Sequence, residues 1–84
     1  MRGVVVHHEH RNGYITIRDP IGEFTVVELL GSYAVEKGHV ISGDLHSLGG
    51  DTFLNETEDE DFDVFVQGYG MSEHQSILMI RRTR

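Results

Sequence analysis

Turn-forming residues interrupt this chain so often that no apolar run exceeds four residues, the longest being Ile77-Leu78-Met79-Ile80. Segments this short suit strands, and they exclude a membrane-crossing helix, which needs ~20 apolar residues. The sharpest punctuation is Asn12-Gly13, the dipeptide favoured in a type I′ hairpin turn because both of its central residues need positive φ. The β-branched run Val4-Val5-Val6 precedes it, in a strand reaching about His10, and Tyr14-Ile15-Thr16-Ile17-Arg18 follows with period-two alternation. A two-residue turn pairs His10 with Ile15 and His8 with Ile17, with Arg11 across from Tyr14. Asp19-Pro20-Ile21-Gly22 fits a type I turn and leads to a third strand over 23–29.

Residues 31–38 read as a connector with one helical turn around Tyr33 to Glu36. A fourth strand is expected from Val40 to about His46, then a tight turn at Leu48-Gly49-Gly50-Asp51 and a short strand Thr52-Phe53-Leu54. The acidic segment 55–61 reads as a solvated loop leading into a further strand, Phe62-Asp63-Val64-Phe65-Val66. Ser72-Glu73-His74-Gln75 matches a capping box. Glu73 at its start and Arg81, Arg82 and Arg84 at its end suit a helix dipole. The run 77–80 by itself is equally compatible with a strand. The expectation is an all-β chain, or a mainly β one with a short C-terminal helix, built as an OB-like antiparallel barrel of five to six strands. It forms a single domain over 1–84, with the acidic loop at 55–63 and a C-terminal appendage at 72–84.

Composition bounds the chemistry. The chain has 84 residues and no cysteine, which excludes disulfides, thiol nucleophiles, zinc knuckles and iron–sulfur clusters. The first residues lack the apolar stretch of an export signal, so the expected address is cytoplasmic, with no membrane partner. On that expectation the sequon Asn55-Glu56-Thr57 is a coincidence. The net charge of −7 comes from seven bases and fourteen acids, but six of those acids lie between Glu56 and Asp63. Without that segment eight acids face seven bases, and residues 1–18 carry three arginines against Glu9 alone. Local potential matters more than the total at distances beyond the Debye length, so charge alone excludes no partner.

The stretch Arg2-Gly3-Val4-Val5-Val6-His7-His8-Glu9-His10-Arg11-Asn12-Gly13-Tyr14-Ile15-Thr16-Ile17 resembles the opening of a cold-shock domain, with Gly3, Gly13, Tyr14 and Ile17 in the expected places. Residues 23–28 fall where that family has its second RNA-binding motif, and Lys37-Gly38-His39-Val40-Ile41 is similar to its entry to the fourth strand. The likeness extends over about residues 2–55 and implies a five-stranded OB-type barrel. It also implies single-strand binding by stacked aromatics, each stack worth roughly 1–3 kcal/mol. Of those positions only Tyr14 holds an aromatic. His7 stands where a stacking Trp is usual, Thr16 where the second aromatic belongs, and Thr25, Val27 and Glu28 where Phe, His and Phe are usual.

Several candidate sites follow. Tyr14 flanked by Arg11 and Arg18, with Thr25 beside them, is the candidate nucleic-acid patch; exposed Tyr and Arg on antiparallel strands also serve plain cross-strand pairing. His8 and His10 share a strand face and are candidate metal ligands or pH-responsive groups, although packed rim histidines would look the same. Phe65 alternates outward with Asp63 and Gln67 and is the candidate protein contact. The acidic segment departs from a calcium-binding EF-hand, which needs Gly where Glu60 stands. No catalytic residue is expected: His46 and Ser47, adjacent on a strand, point apart, and His7-His8-Glu9-His10 lacks the HExxH spacing. The chain is therefore read as a small non-catalytic binding module without cofactor that contacts protein, a second copy of itself included. Weak single-strand RNA or DNA binding, and metal or pH sensing by the histidines, are the alternatives.

Overall fold

The alternation visible in Tyr14–Arg18 runs through six strands that close on themselves. A computed structural model describing residues 1–82 shows β1 (Arg2–Glu9), β2 (Tyr14–Arg18), β3 (Phe24–Leu29), β4 (Val40–Ser42), β5 (Gly49–Asn55), β6 (Glu60–Met71) and a helix, α1 (Glu73–Arg82). The strands form a closed barrel in the order β1-β2-β3-β6-β5-β4, every neighbouring pair antiparallel. A ring in which all neighbours are antiparallel requires an even strand count. The sixth strand therefore distinguishes this barrel from the five-stranded one that the resemblance implies. The result is the mainly β, OB-like class expected, and no helix among the described residues is long and apolar enough to cross a membrane.

Inward side chains from all six strands and two connectors fill the barrel: Val5, Ile15, Ile17, Val27, Ile41, Phe53, Phe62, Val64 and Val66, with Val35 and Leu45 from the connectors. Phe53 and Phe62 meet edge to face, with ring centroids 6.1 Å apart, a favoured aromatic geometry. A second apolar cluster lies outside the barrel wall, where Tyr14 and Val26 pack against Ile80 of α1, with Met71 and Met79 beside them. Both faces of β2 and β3 are thus buried. That is unusual for an antiparallel sheet unless something covers its outer side.

The capping box forms as read. Gln75 N–H donates to Ser72 Oγ at 3.1 Å, and Ser72 N–H donates to Gln75 Oε1 at 3.0 Å. Glu73 occupies the first turn and Arg81 and Arg82 the last; Arg84 lies outside the described residues. Ser72→Ala is expected to cost ~1 kcal/mol, lowering the melting temperature by roughly 4–8 °C in a domain this small, as thermal unfolding followed by circular dichroism would show.

Other details differ from the sequence expectation. Asn12-Gly13 does not make a two-residue turn. His10 to Gly13 form a four-residue turn, closed by Gly13 N–H to Glu9 C=O at 3.0 Å. Gly13 has φ of 71°, whereas Asn12 is not at positive φ, so type I′ geometry is excluded. Asn12 instead accepts Tyr14 N–H and donates to the Ile80 carbonyl, so a tertiary bond to α1 draws it out of the hairpin geometry. Glu9 therefore stands opposite Tyr14 and His8 opposite Ile15, with a bulge between Val5 and His7. Residues 33–36 form no helical turn, because Val35 is drawn into the core. The fourth strand stops at Ser42, and Gly49 to Asp51 belong to β5. Only residues 56–59 of the acidic segment are turn; Glu60, Asp61 and Asp63 lie on β6, whose alternate residues Phe62 and Val64 anchor them to the barrel.

Candidate functional site

Side chains proposed from the sequence fall in three places. The first is the outer face of β1, β2 and β3, across which α1 packs. Tyr14, read as an exposed stacking residue, is only 7% exposed and lies beneath Ile80. Thr16 and Thr25 are fully buried, and the Thr25 hydroxyl donates to the Leu45 carbonyl at 2.9 Å. Arg11 sits in the hairpin turn against Glu9, Nε to Oε1 3.4 Å, and the Arg11 backbone amide, above all, holds the Glu9 carboxyl below its ordinary range. Arg18 is exposed at the far end of β2. The four residues therefore do not form one patch. The helix that covers Tyr14 is tied down by His7 Nε2 with Glu73 Oε2 at 2.8 Å and by the Asn12 bond to Ile80. Nothing local to Tyr14 or Val26 says that the C-terminal helix returns to cover them.

The second place is the β1 end that carries the histidines. His8 and His10 do not share a strand face, because β1 ends at Glu9. The His8 side chain is 9% exposed at the barrel rim, whereas His10 lies in the turn with its side chain 68% exposed. Their rings stack nonetheless, with centroids 3.8 Å apart and planes inclined by 15°. A third group absent from the sequence expectation joins them: Glu36 Oε1 lies 3.1 Å from His10 Nε2 and 3.6 Å from His8 Nδ1. Burial first, and then the neighbouring His10, lower the His8 pKa below the ordinary imidazole value, despite Glu36, the Val35 backbone and Glu9. The segment carrying Glu36 is stapled to β1, with Gly38 N–H donating to Val5 C=O at 2.8 Å and Val5 N–H to His39 C=O at 3.0 Å. His39 Nδ1 accepts from Glu36 N–H and faces the Asn55 amide.

A further pair, buried on the Asp19 side, went unread in the sequence. Asp19, fully buried, accepts Ile21 N–H and Glu23 N–H on Oδ1 and meets His46 Nε2 at 2.7 Å on Oδ2. His46 stacks on Tyr69. Burial opposes the ionised form of Asp19, but the His46 bond and the two amides outweigh it and hold the pKa below the ordinary value. The pair fastens the 19–22 turn to the connector after β4. The only local signal was Asp at the first position of a turn, which commonly accepts the amide two residues on.

The third place is the outer face of β3, β6 and β5. Phe65 is 44% exposed there, between Glu28 of β3 and Gly50 of β5, its partners across the sheet. Gly50 offers no side chain to cover the ring. Asp63, bonded to the Thr52 hydroxyl at 2.9 Å, and Asp61 continue the same outward row. None of the three strands carries Lys or Arg, while Glu28, Asp61 and Asp63 share the outward side with Phe65. The class defined by fold and site is a small closed antiparallel β-barrel of OB-like kind, with one helix laid on its wall and an acidic, aromatic-centred face beside it. No protein-family model, no curated protein and no solved structure matches the chain.

Proposed function

We propose that this protein is a non-catalytic binding module whose β3-β6-β5 face docks a basic protein surface, with Phe65 as the anchor. The observation that carries the reading is Phe65 standing exposed in a row of carboxylates with no cation on its own or the adjoining strands. A single exposed apolar residue is ordinary. An aromatic bordered by a glycine and flanked by Glu28, Asp61 and Asp63 also has the composition of an interface hot spot, the charge steering a complementary partner and the ring supplying the desolvated contact. Single-stranded nucleic acid has less support, because this face repels phosphate and Tyr14, the one aromatic at a stacking position, lies under α1.

The test is amide NMR with two peptide panels of equal length, one rich in Lys and Arg around a central Leu and the other its Glu and Asp counterpart. Shifts at Glu28, Gly50, Asp63 and Phe65 with the basic panel alone support the reading. So does a loss of about 30-fold in affinity for Phe65→Ala, the size of an aromatic hot spot of ~2 kcal/mol, since that substitution leaves the charge unchanged. Equal response to both panels, shifts centred elsewhere, or unaltered affinity in Phe65→Ala overturns it. Shifts at Phe65 that grow with protein concentration alone identify a second copy as the occupant and overturn the foreign-partner reading.

A further inference from the structure

The geometry at the β1 rim points to a site of different chemistry. We propose that His8, His10 and Glu36 bind one divalent transition-metal ion of the borderline class that Zn2+ represents, leaving a fourth position to water. Their ligand atoms all lie within 4.8 Å of one another. Two imidazoles and one carboxylate form a donor set that suits Zn2+, whereas Mg2+ and Ca2+ favour oxygen ligands throughout.

The decisive observation is His8. Its side chain is nine-tenths buried, and its Nδ1 has no hydrogen-bond partner. The nearest carboxylate oxygen, Glu36 Oε1, is 3.6 Å away, too far for a hydrogen bond. A buried polar atom left in this state costs roughly 1–3 kcal/mol, and a cation between the ring and the carboxylate would satisfy both. An ordinary surface ion pair explains the 3.1 Å approach of His10 to Glu36, but it leaves His8 Nδ1 unexplained.

The support around the ligands fits a held site. Glu36 is fixed from behind by its own amide on His39 Nδ1, by His39 N–H on the Glu36 carbonyl at 3.1 Å, and by the two backbone bonds that lash 38–39 to Val5. His8 is fixed by β1, which pairs it with Ile15. One ligand has to move. In the stacked arrangement the two imidazole planes are nearly parallel, so their lone pairs run side by side rather than converging. His10, exposed in the turn, is the ring with room to rotate; its stack on His8 and its direct 3.1 Å contact with Glu36 are what it gives up, the latter replaced by a shared bond to the ion.

Zinc titration of the chelator-treated full chain tests this, by calorimetry and by NMR of the histidine ring nitrogens. The expected result is one Zn2+ per chain with Kd near or below ~10 μM, and perturbed His8 and His10 rings with His74 unaffected. Glu36→Gln and His10→Ala, both at exposed positions that leave the core intact, should each weaken binding by about tenfold or more. Glu23→Gln serves as the control, since Asp19, Glu23 and His46 form the other grouping of possible ligands among the described residues; it should leave affinity unchanged. No binding at ~1 mM Zn2+, affinity unaltered in both Glu36→Gln and His10→Ala, or a loss confined to Glu23→Gln overturns the proposal.

Discussion

A Gly43→Ala chain is expected to melt roughly 12–24 °C below the parent, from a loss of about 3 kcal/mol. Gly43 follows β4, where the connector turns under the barrel, and its α-carbon faces the ring of Phe53. A methyl group there would lie 2.8 Å from Phe53 Cε1 and 2.9 Å from Cγ, and closer still to Cδ1. Phe53 is buried and set edge-on against Phe62, so the ring has no empty space to retreat into. The backbone is also held, since Gly43 N–H donates to the Met1 carbonyl at 2.9 Å. Close-packed interiors convert such overlap into strain rather than absorb it. A double-mutant cycle with Phe53→Leu checks the cause. Trimming the ring should recover part of the loss in Gly43→Ala, giving a coupling above ~0.5 kcal/mol. Strict additivity would place the strain elsewhere.

Asp19→Ala is the second large effect. It strips the acceptor from Ile21 N–H, Glu23 N–H and His46 Nε2 at once. The acceptor is buried and its three donors are partly so; at about 1–3 kcal/mol for each lost pairing, with water recovering some of them, a loss near 3 kcal/mol is expected. The pH profile separates the carboxylate from mere side-chain volume. The folded-state pKa of Asp19 lies below its ordinary value. The unfolded chain therefore takes up the proton first as pH falls. Asp19 contributes its full stabilisation above the unfolded value of about 3.9, and loses it progressively as pH drops through the lower folded pKa. Urea unfolding between about pH 7 and pH 2 should show a shallower acid decline in Asp19→Asn than in the parent. Identical slopes would mean that the carboxylate charge is not what holds the turn to the connector.

These two positions show how unevenly the fold was written in the chain. Strand-forming character was local, and the segments around Val4, Tyr14, Val26, Ile41, Phe53 and Val64 all became strands. The α1 cap was local as well, because Ser72 and Gln75 satisfy each other across three residues. Register was not. Asn12 has the local chemistry of a type I′ turn, but its side-chain amide reaches the Ile80 carbonyl, and the hairpin takes a four-residue turn with a compensating bulge. Gly49 and Gly50 read as a turn and lie in a strand, because pairing with Val66 and Phe65 overrides their weak β preference.

The candidate sites divide in the same way. The outward direction of Phe65 follows from period-two alternation with Asp63 and Gln67, and it survives in the barrel. That Tyr14 is not a surface residue depends on where α1 comes to rest, more than sixty residues further along the chain. That His8 and His10 share a carboxylate depends on the 35–39 segment docking on β1.

By itself the sequence determined the class of fold and the position of its elements, because short alternating runs, a capping box and dense turn residues act through neighbours only a few positions apart. Which of those elements touch was decided by the closed barrel and the returning helix. Only when the core fills and distant segments dock on one another do Glu36 approach His8 and His10, Asp19 meet His46, and Ile80 cover Tyr14.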